Sequence, residues 1–157
     1  MNKTWINNWG KKLQFPDDIF YSPELLWVKS EPENKLRIGI SDLGVKAVKS
    51  LIYIRLKPRV GNQVKKGDLI GMVETSKMVW EIITPISGEV VAVNRKLLRG
   101  NPSDLVNDPY GEGWLLQLER TTDTDGELSR LHRGGEKETD QWIVDRVEAI
   151  VPLQQVS

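Results

Sequence analysis

Short runs of β-forming residues recur every eight to twelve residues through the middle of this chain, with turn-forming residues between most of them. Several short strands at that spacing are typical of a small β-sandwich or barrel. Two segments favour helix instead, near residues 41–49 and 139–151. The sequence therefore predicts a mainly β fold with two helices. The candidate strands are residues 25–30, 35–40, 51–56, 69–74, 78–84, 86–94 and 114–119.

The most informative of the predicted hairpins contains the sequence VETSKMVWEI, residues 73–82. Its reversal is Thr75-Ser76-Lys77-Met78, which holds no Gly, Asn, Asp or Pro, although tight hairpin turns normally need residues that accept positive φ. Departures from local sequence preferences, such as this preference for turn-forming residues, tend to occur at functional sites. A solvated lysine amine keeps a high pKa and is therefore a poor nucleophile, so Lys77 at a hairpin tip is not expected to be a Schiff-base catalyst. Its position instead makes the amine accessible to another enzyme. Turn chemistry alone still favours an ordinary surface lysine.

Composition excludes several kinds of site. The chain has 157 residues, no cysteine and one histidine, which excludes disulfide scaffolds, cysteine nucleophiles and metal sites built from thiolates or several histidines. Its 22 basic and 22 acidic residues balance, which indicates neither a nucleic-acid nor a membrane partner. There is no apolar run long enough to span a membrane and no signal-peptide pattern, so we expect a cytoplasmic protein. We expect His132, in the polar stretch SRLHRGGEKE, to be a solvated loop side chain rather than a catalytic base.

The N-terminal segment lacks a clear hydrophobic period. Residues 1–19 contain Trp5 and Trp9 among polar residues. We interpret this segment as an irregular extension whose tryptophans dock on the body of the protein.

The C-terminal segment begins with polar residues 120–138, which we expect to be mobile. Thr139 or Asp140 then provides the cap of the second helix. An apolar stripe on that helix predicts one buried face. Its members are Trp142, Ile143, Val147, Ile150 and Val151.

The central sequence resembles a known carrier fold. The stretch RVGNQVKKGDLIGMVETSKMVWEIITPISGEVVAVN resembles the biotinyl/lipoyl carriers, with Glu74 similar to the glutamate that precedes their lipoylated lysine. More narrowly, the chain resembles the glycine cleavage system H protein. The segments that carry this narrower resemblance are YSPELLWV (21–28), GISDLGVKAV (39–48) and NPSDLVNDPYGEGWLLQL (101–118).

This resemblance implies a barrel-sandwich hybrid of the lipoyl/biotinyl type. It divides the chain into an N-terminal extension at 1–19, an H-protein-like lipoyl domain at 20–120, and a polar linker with a helix at 121–157. Within the domain, Gly67, Gly88, Gly111 and Gly113 are expected to serve turns with positive φ or close backbone approach rather than chemistry.

The resemblance also implies a carrier rather than an enzyme. Lys77 would bear lipoate in amide linkage, and Glu74 would be read by the lipoate-attaching enzyme. The cofactor would supply thiol–disulfide chemistry while the protein positions it. Other implied partners are glycine decarboxylase, aminomethyltransferase and dihydrolipoamide dehydrogenase. Biotin is the alternative cofactor, since Met78 follows the lysine as in biotin carriers, but Ser76 precedes it and segment 101–118 favours lipoate.

The chain departs from the H-protein pattern at several positions. Leu25 and Leu26 replace a usual His-Glu pair, and Leu43 replaces a second histidine. In the family these polar residues lie near the cleft that shelters the aminomethyl-loaded arm. We therefore expect the three leucines to form an apolar cleft for the arm, because leucine provides no hydrogen-bond acceptor for an amine.

The hairpin departs from the pattern too. Met78, Val79 and Trp80 follow the lysine where the family usually has small residues. We favour Trp80 as a core residue over a partner contact, because aromatic residues in strands are mostly buried.

Three functions remain open at this point. The departures resemble the H-like lipoate-binding proteins of sulfur-oxidising, heterodisulfide-reductase-like systems, and we lean slightly to a lipoyl carrier of that kind. The second hypothesis is a glycine cleavage H protein that carries an aminomethyl group. The third is an unmodified H-like interaction module, which the presence of both Lys77 and Glu74 disfavours.

Overall fold

The computed structural model describes residues 2–6, 12–47, 51–99 and 102–156. Twelve strands and four α-helices occur in these residues, which confirms the mainly β prediction. The strands are β1 Asn2–Ile6, β2 Lys12–Pro16, β3 Phe20–Tyr21, β4 Leu26–Glu31, β5 Lys35–Ile40, β6 Leu51–Leu56, β7 Gln63–Val64, β8 Leu69–Thr75, β9 Val79–Ile83, β10 Gly88–Val93, β11 Leu116–Glu119 and β12 His132–Arg133. The helices are α1 Asp42–Ala47, α2 Ser103–Asn107, α3 Thr124–Leu128 and α4 Lys137–Val156, with a 3₁₀ turn at Arg95–Leu98.

The strands form three sheets. A seven-stranded sheet has the order β12-β3-β4-β5-β11-β10-β7, a three-stranded sheet has the order β6-β8-β9, and β1 pairs with β2. All of their pairings are antiparallel. The main core contains buried apolar residues of both larger sheets, among them Ile38 of β5 and Val73 of β8. This arrangement is the predicted sandwich, with each sheet covering the inner face of the other.

The helix predicted near 41–49 is α1, and residues 48–50 lie outside the described part of the chain. Ser41 begins it, because its Oγ accepts a hydrogen bond of 3.2 Å from the Gly44 N–H, as an N-cap does. The side chain of Leu43 on this helix is buried in a second apolar cluster beside the main core.

The N-terminal segment is not irregular, which corrects the sequence-based interpretation. β1 and β2 form an antiparallel pair from Asn2↔Pro16 to Ile6↔Lys12. Leu13 and Phe15 of β2 are only 1% and 3% exposed, and they belong to the second cluster. Trp9 and the side chain of Trp5 lie outside what the structure describes, so their predicted docking stays a prediction.

The second cluster joins distant parts of the chain. Its buried members come from β2, the turn between β2 and β3, β3, β4, α1 and α4, and the rings of Phe15 and Tyr21 meet edge to face at 5.5 Å. The buried members are Leu13, Phe15, Ile19, Tyr21, Trp27, Leu43 and Ile143.

Polar bonds fix β2 over α1. The Tyr110 hydroxyl donates to the Gln14 carbonyl at 2.6 Å and accepts from the Asp42 N–H at 3.0 Å. The Gln14 N–H donates to Asp42 Oδ2 at 2.8 Å. Both backbone groups of Gln14 are therefore satisfied by the body of the protein, and burial raises the pKa of Tyr110, so its hydroxyl keeps the proton it donates.

Residues 120–138 are ordered into short elements rather than forming a mobile linker. Thr124 of α3 is buried and donates to the Ser87 carbonyl at 2.8 Å. The Glu127 carboxylate accepts from the Ser87 N–H at 2.7 Å and from its hydroxyl at 2.8 Å. α3 is thus held on the turn that precedes β10.

His132 is not a solvated loop residue. It lies in β12, and its ring stacks on Trp142 of α4 at a centroid distance of 4.1 Å. Burial, followed by the nearby Arg146 charge, lowers the pKa of His132 below its usual value. The ring is therefore a packing element between β12 and α4.

The C-terminal helix is longer than predicted, because α4 begins at Lys137 and ends at Val156. Thr139 and Asp140 thus lie inside its first turn, so the capping prediction was wrong. Ile143 is buried as expected, and Trp142 and Val147 pack partly buried beside it. The side chains of Ile150 and Val151 lie outside the described part of the helix.

The glycines expected at turns do serve backbone geometry. Gly67 has a φ of +94°, in the left-handed region that other residues rarely adopt. A Cβ on Gly88 would lie 2.9 Å from the Glu119 carbonyl oxygen and 2.9 Å from Leu118 Cβ, so β10 can approach β11 only without a side chain there. Close contacts with Asp108 and Asp104 similarly leave no room at Gly111 and Gly113.

We expect Gly88→Val to destabilise the protein by about 1–3 kcal/mol, because the new side chain overpacks the β10–β11 contact. For a chain of this size Tm should then fall by roughly 2–4 °C for each kcal/mol. Thermal unfolding followed by circular dichroism measures this. Gly126→Val is the matched control, because nothing lies within 4 Å of a Cβ at Gly126. Equal Tm values for the two variants would contradict the close approach at Gly88.

We also expect Phe15→Ala to cost roughly 3–5 kcal/mol, the usual loss for a large buried aromatic residue. Denaturant unfolding measures the change, and Gln14→Ala serves as the control because the Gln14 side chain is exposed and its body contacts use the backbone. A loss below about 1 kcal/mol for Phe15→Ala would mean that β2 is not an integral part of the fold.

Candidate functional site

The β8–β9 hairpin presents Lys77 at its tip, as the sequence predicted. Glu74 pairs with Val79 in the last rung of the ladder, so residues 75–78 make the reversal. Lys77 is exposed, and Met78 and Val79 beside it are 52% and 54% exposed. The amine of Lys77 is therefore open to another protein from outside the sheet.

The Thr75 side chain explains how this turn forms without glycine or asparagine. Its Oγ1 accepts hydrogen bonds from the Lys77 N–H at 3.2 Å and the Met78 N–H at 3.0 Å, and it donates to the Met78 carbonyl at 3.2 Å. The Thr75 N–H also donates to the Met78 carbonyl at 2.9 Å. Neither Ser76 nor Lys77 has a positive φ. A turn closed by a side-chain hydroxyl in this way does not need the usual turn-forming residues. The threonine two residues before the lysine is the sequence feature that could have indicated such a turn.

Glu74 lies beside two residues that sequence reasoning did not assign to the site. Its carboxylate is 3.8 Å from Arg55 Nε on the neighbouring strand β6. The Arg55 guanidinium lies over the Tyr53 ring at 5.2 Å and donates to the Tyr53 hydroxyl at 3.0 Å. Tyr53 and Arg55 lie two residues apart on β6 and so share a face, but their position beside Glu74 depends on the β6–β8 register.

The three leucines expected to form an apolar cleft do not share an open surface. Leu26 is 0% exposed and belongs to the main core, whereas Leu43 is 3% exposed and belongs to the second cluster. Leu25 alone is partly exposed, and it has a φ of +68°. In this structure Leu26 and Leu43 are packing residues, which corrects that part of the expectation.

A small apolar recess lies instead on the flank of the hairpin. It takes Val73 from β8 and Trp80 from β9, together with residues of α1, α2 and their neighbouring strands. Trp80 also packs partly buried against the main core, in agreement with the core interpretation. The lining residues are Ile40, Gly44, Val45, Leu51, Val73, Trp80 and Leu105.

Metal binding finds no support in the described residues, where no group of three or more His, Asp or Glu side chains is placed to hold an ion. None of the helices in that part of the chain is long and apolar enough to cross a membrane. The exposed primary amine of Lys77 thus lies on a hydrogen-bonded turn three residues after Glu74.

Comparison with known proteins identifies this arrangement. The family model of the glycine cleavage H-protein matches residues 19–142. A glycine cleavage system H protein of Mycolicibacterium vanbaalenii is 37% identical over 111 residues, 71% of this chain and 83% of that protein. One of Corynebacterium jeikeium is 39% identical over 109 residues, 68% of this chain and 84% of that protein.

The fold agrees with a solved structure as well. The crystal structure of a glycine cleavage system H protein from Mycobacterium marinum superimposes with a TM-score of 0.65 at 31% identity, covering 76% of this chain and 92% of that one. The chain therefore belongs to the glycine cleavage H-protein family of lipoyl carriers.

Proposed function

We propose that this protein carries lipoate in amide linkage on Lys77 and shuttles a thiol-bound group between partner enzymes. The observation that carries the proposal is an exposed lysine at the tip of a hairpin, three residues after Glu74, in an H-family chain. Acylation of the amine would make the arm neutral. The bound cofactor would supply thiol–disulfide exchange, and the absence of cysteine leaves no protein thiol to attack it from within.

The residues around Lys77 suit attachment by a second enzyme. The tip projects beyond the Glu74–Val79 pair, and Lys77 is exposed there, so an attaching enzyme can reach the amine. Glu74 is held near Arg55 and is the best candidate for the carboxylate that such an enzyme reads. Arg55 and Tyr53 lie on the same approach and extend that recognition surface.

The apolar recess beside the hairpin is a contact surface for the arm, although its cavity of about 10 Å³ is too small to enclose a dithiolane ring. Val73 and Trp80 contribute to it from the two arms of the same hairpin, four residues before and three after Lys77. Burial of apolar ring atoms gains about 25 cal/mol per Å², so a dithiolane resting on this small surface would gain less than about 1 kcal/mol before entropy costs. Such a gain favours contact between the arm and the recess but is small enough for the arm to dissociate readily. This recess replaces the surface of Leu25, Leu26 and Leu43 in our proposal.

For the cargo we propose the aminomethyl group of glycine cleavage. The relatives named above are glycine cleavage system H proteins, and they give no support to the initial lean towards sulfur oxidation. The proposed partners are then glycine decarboxylase, aminomethyltransferase and dihydrolipoamide dehydrogenase, besides the lipoate-attaching enzyme.

A sulfur-bearing cargo is the second candidate, and one observation favours it. The recess is lined by apolar side chains and Gly44, without a carboxylate or imidazole. A charged amine loses hydration against such a surface without gaining a partner, whereas an uncharged sulfur adduct has less hydration to lose. In that case the partner would be a heterodisulfide-reductase-like complex.

We expect Lys77 to be the sole lipoylated residue when the protein is made in a lipoate-competent host. Intact-mass spectrometry should find one lipoyl adduct on the wild type and none on Lys77→Ala or Lys77→Arg, since a guanidinium is not acylated at neutral pH. Lys66→Ala is the control, because Lys66 is also exposed but lies at the far end of β8. An adduct that survives Lys77→Ala would place the site elsewhere. A wild type that stays unmodified under the same conditions would instead favour the unmodified interaction module.

We expect the lipoylated protein to be loaded when mixed with glycine decarboxylase, pyridoxal phosphate and glycine. Mass spectrometry detects the methylamine-loaded form, and a glycine cleavage H protein assayed in parallel sets the scale. Loading at a comparable rate supports the aminomethyl assignment. Failure to load, together with loading from a sulfur donor, would reverse the order of the two candidates.

A further inference from the structure

The turn at the hairpin tip depends on a single hydroxyl. Thr75 Oγ1 accepts from two successive N–H groups, those of Lys77 and Met78, and donates to the Met78 carbonyl. Among the described residues, one further bond closes the reversal, from the Thr75 N–H to the Met78 carbonyl. Because Ser76 and Lys77 keep ordinary φ values, no glycine-type conformation contributes to the turn.

Thr75 is itself fixed to the three-stranded sheet. It pairs with Leu51 of β6, and across a register shift in β6 between Leu51 and Tyr53 the preceding residue Glu74 pairs with Tyr53. The Glu74 carboxylate is also near Arg55. The hydroxyl therefore connects the end of β8, which includes Glu74, to the backbone of Lys77. Threonine suits this position because its branched Cβ restricts χ1 and keeps the hydroxyl in place.

We propose that the Thr75 hydroxyl is the positioning residue for lipoylation, fixing Lys77 relative to Glu74 in the arrangement that the lipoate-attaching enzyme binds. This inference rests on the proposed lipoylation of Lys77. Thr75 contacts the backbone of Lys77 rather than its reacting amine, so it acts on the conformational entropy that the tip loses when the ligase binds it. Because the turn is already formed in the free protein, less entropy is lost on binding, and the carrier binds the ligase more tightly in the productive orientation.

The test uses the full-length apo-protein with a purified lipoate–protein ligase, ATP and lipoate. Initial rates are measured against carrier concentration for the wild type, Thr75→Val, Thr75→Ser and Ser76→Ala. Valine keeps the branched shape without the hydroxyl, and serine keeps the hydroxyl. Ser76→Ala is the matched control, because Ser76 is an exposed hydroxyl residue of the same turn whose side chain makes no hydrogen bond within the part of the chain that the structure describes.

We expect Thr75→Val to lower kcat/KM for the carrier about tenfold, equivalent to about 1.4 kcal/mol, chiefly through a higher KM. Thr75→Ser should stay within about twofold of the wild type, and Ser76→Ala should match it. Amide hydrogen exchange at Lys77 and Met78 should be faster in Thr75→Val, while its Tm stays within about 2 °C of the wild type because the turn is exposed.

Wild-type kinetics in Thr75→Val would overturn the inference and leave the proposed function standing. A defect of equal size in Thr75→Ser would also overturn it, because side-chain shape rather than the hydroxyl would then matter. A loss of Tm in Thr75→Val as large as that of a core variant would assign Thr75 to the fold. A wild type that the ligase does not modify would overturn the proposed function itself.

Discussion

The packing of the hairpin base against the seven-stranded sheet is the interaction on which the rest of the site depends. Ile70 and Val73 of β8 and Ile82 of β9 are buried in the main core with residues of β4, β5 and β11. An isolated two-stranded hairpin is only marginally stable in water. Because its base is part of a core and its edge pairs with β6, this hairpin can extend an exposed tip with a defined geometry.

The N-terminal strand pair gives a structural reason for Leu43, one of the positions where the chain departs from its family. Residues 1–18 lie outside the family match, yet Leu13 and Phe15 share one buried cluster with Leu43. These apolar neighbours favour an apolar residue at position 43, because a histidine buried there would need a hydrogen-bond partner for its imidazole. The leucine is thus explained by packing, and it carries no information about the cargo of the arm.

Much of the fold followed from local patterns. The alternation in β5, β6 and β8 and the paired arms around Lys77 were predictable, because a strand that buries one face repeats every two residues. The short elements α3 and β12 were not. They are polar overall and are held by contacts with residues far away in sequence, such as Glu127 with Ser87 and His132 with Trp142. The Leu13–Phe15 alternation of β2 was too short to separate from an irregular segment.

The sequence by itself determined that the chain is mainly β, that a hairpin reverses at residues 75–78, and that Lys77 lies at its tip. Only the tertiary structure decided that Leu26 and Leu43 are interior and that Arg55 faces Glu74. The reason is the range of the forces involved. Periodicity and turn chemistry act over a few residues, whereas burial and charge pairing depend on which distant segments share a core or a strand register.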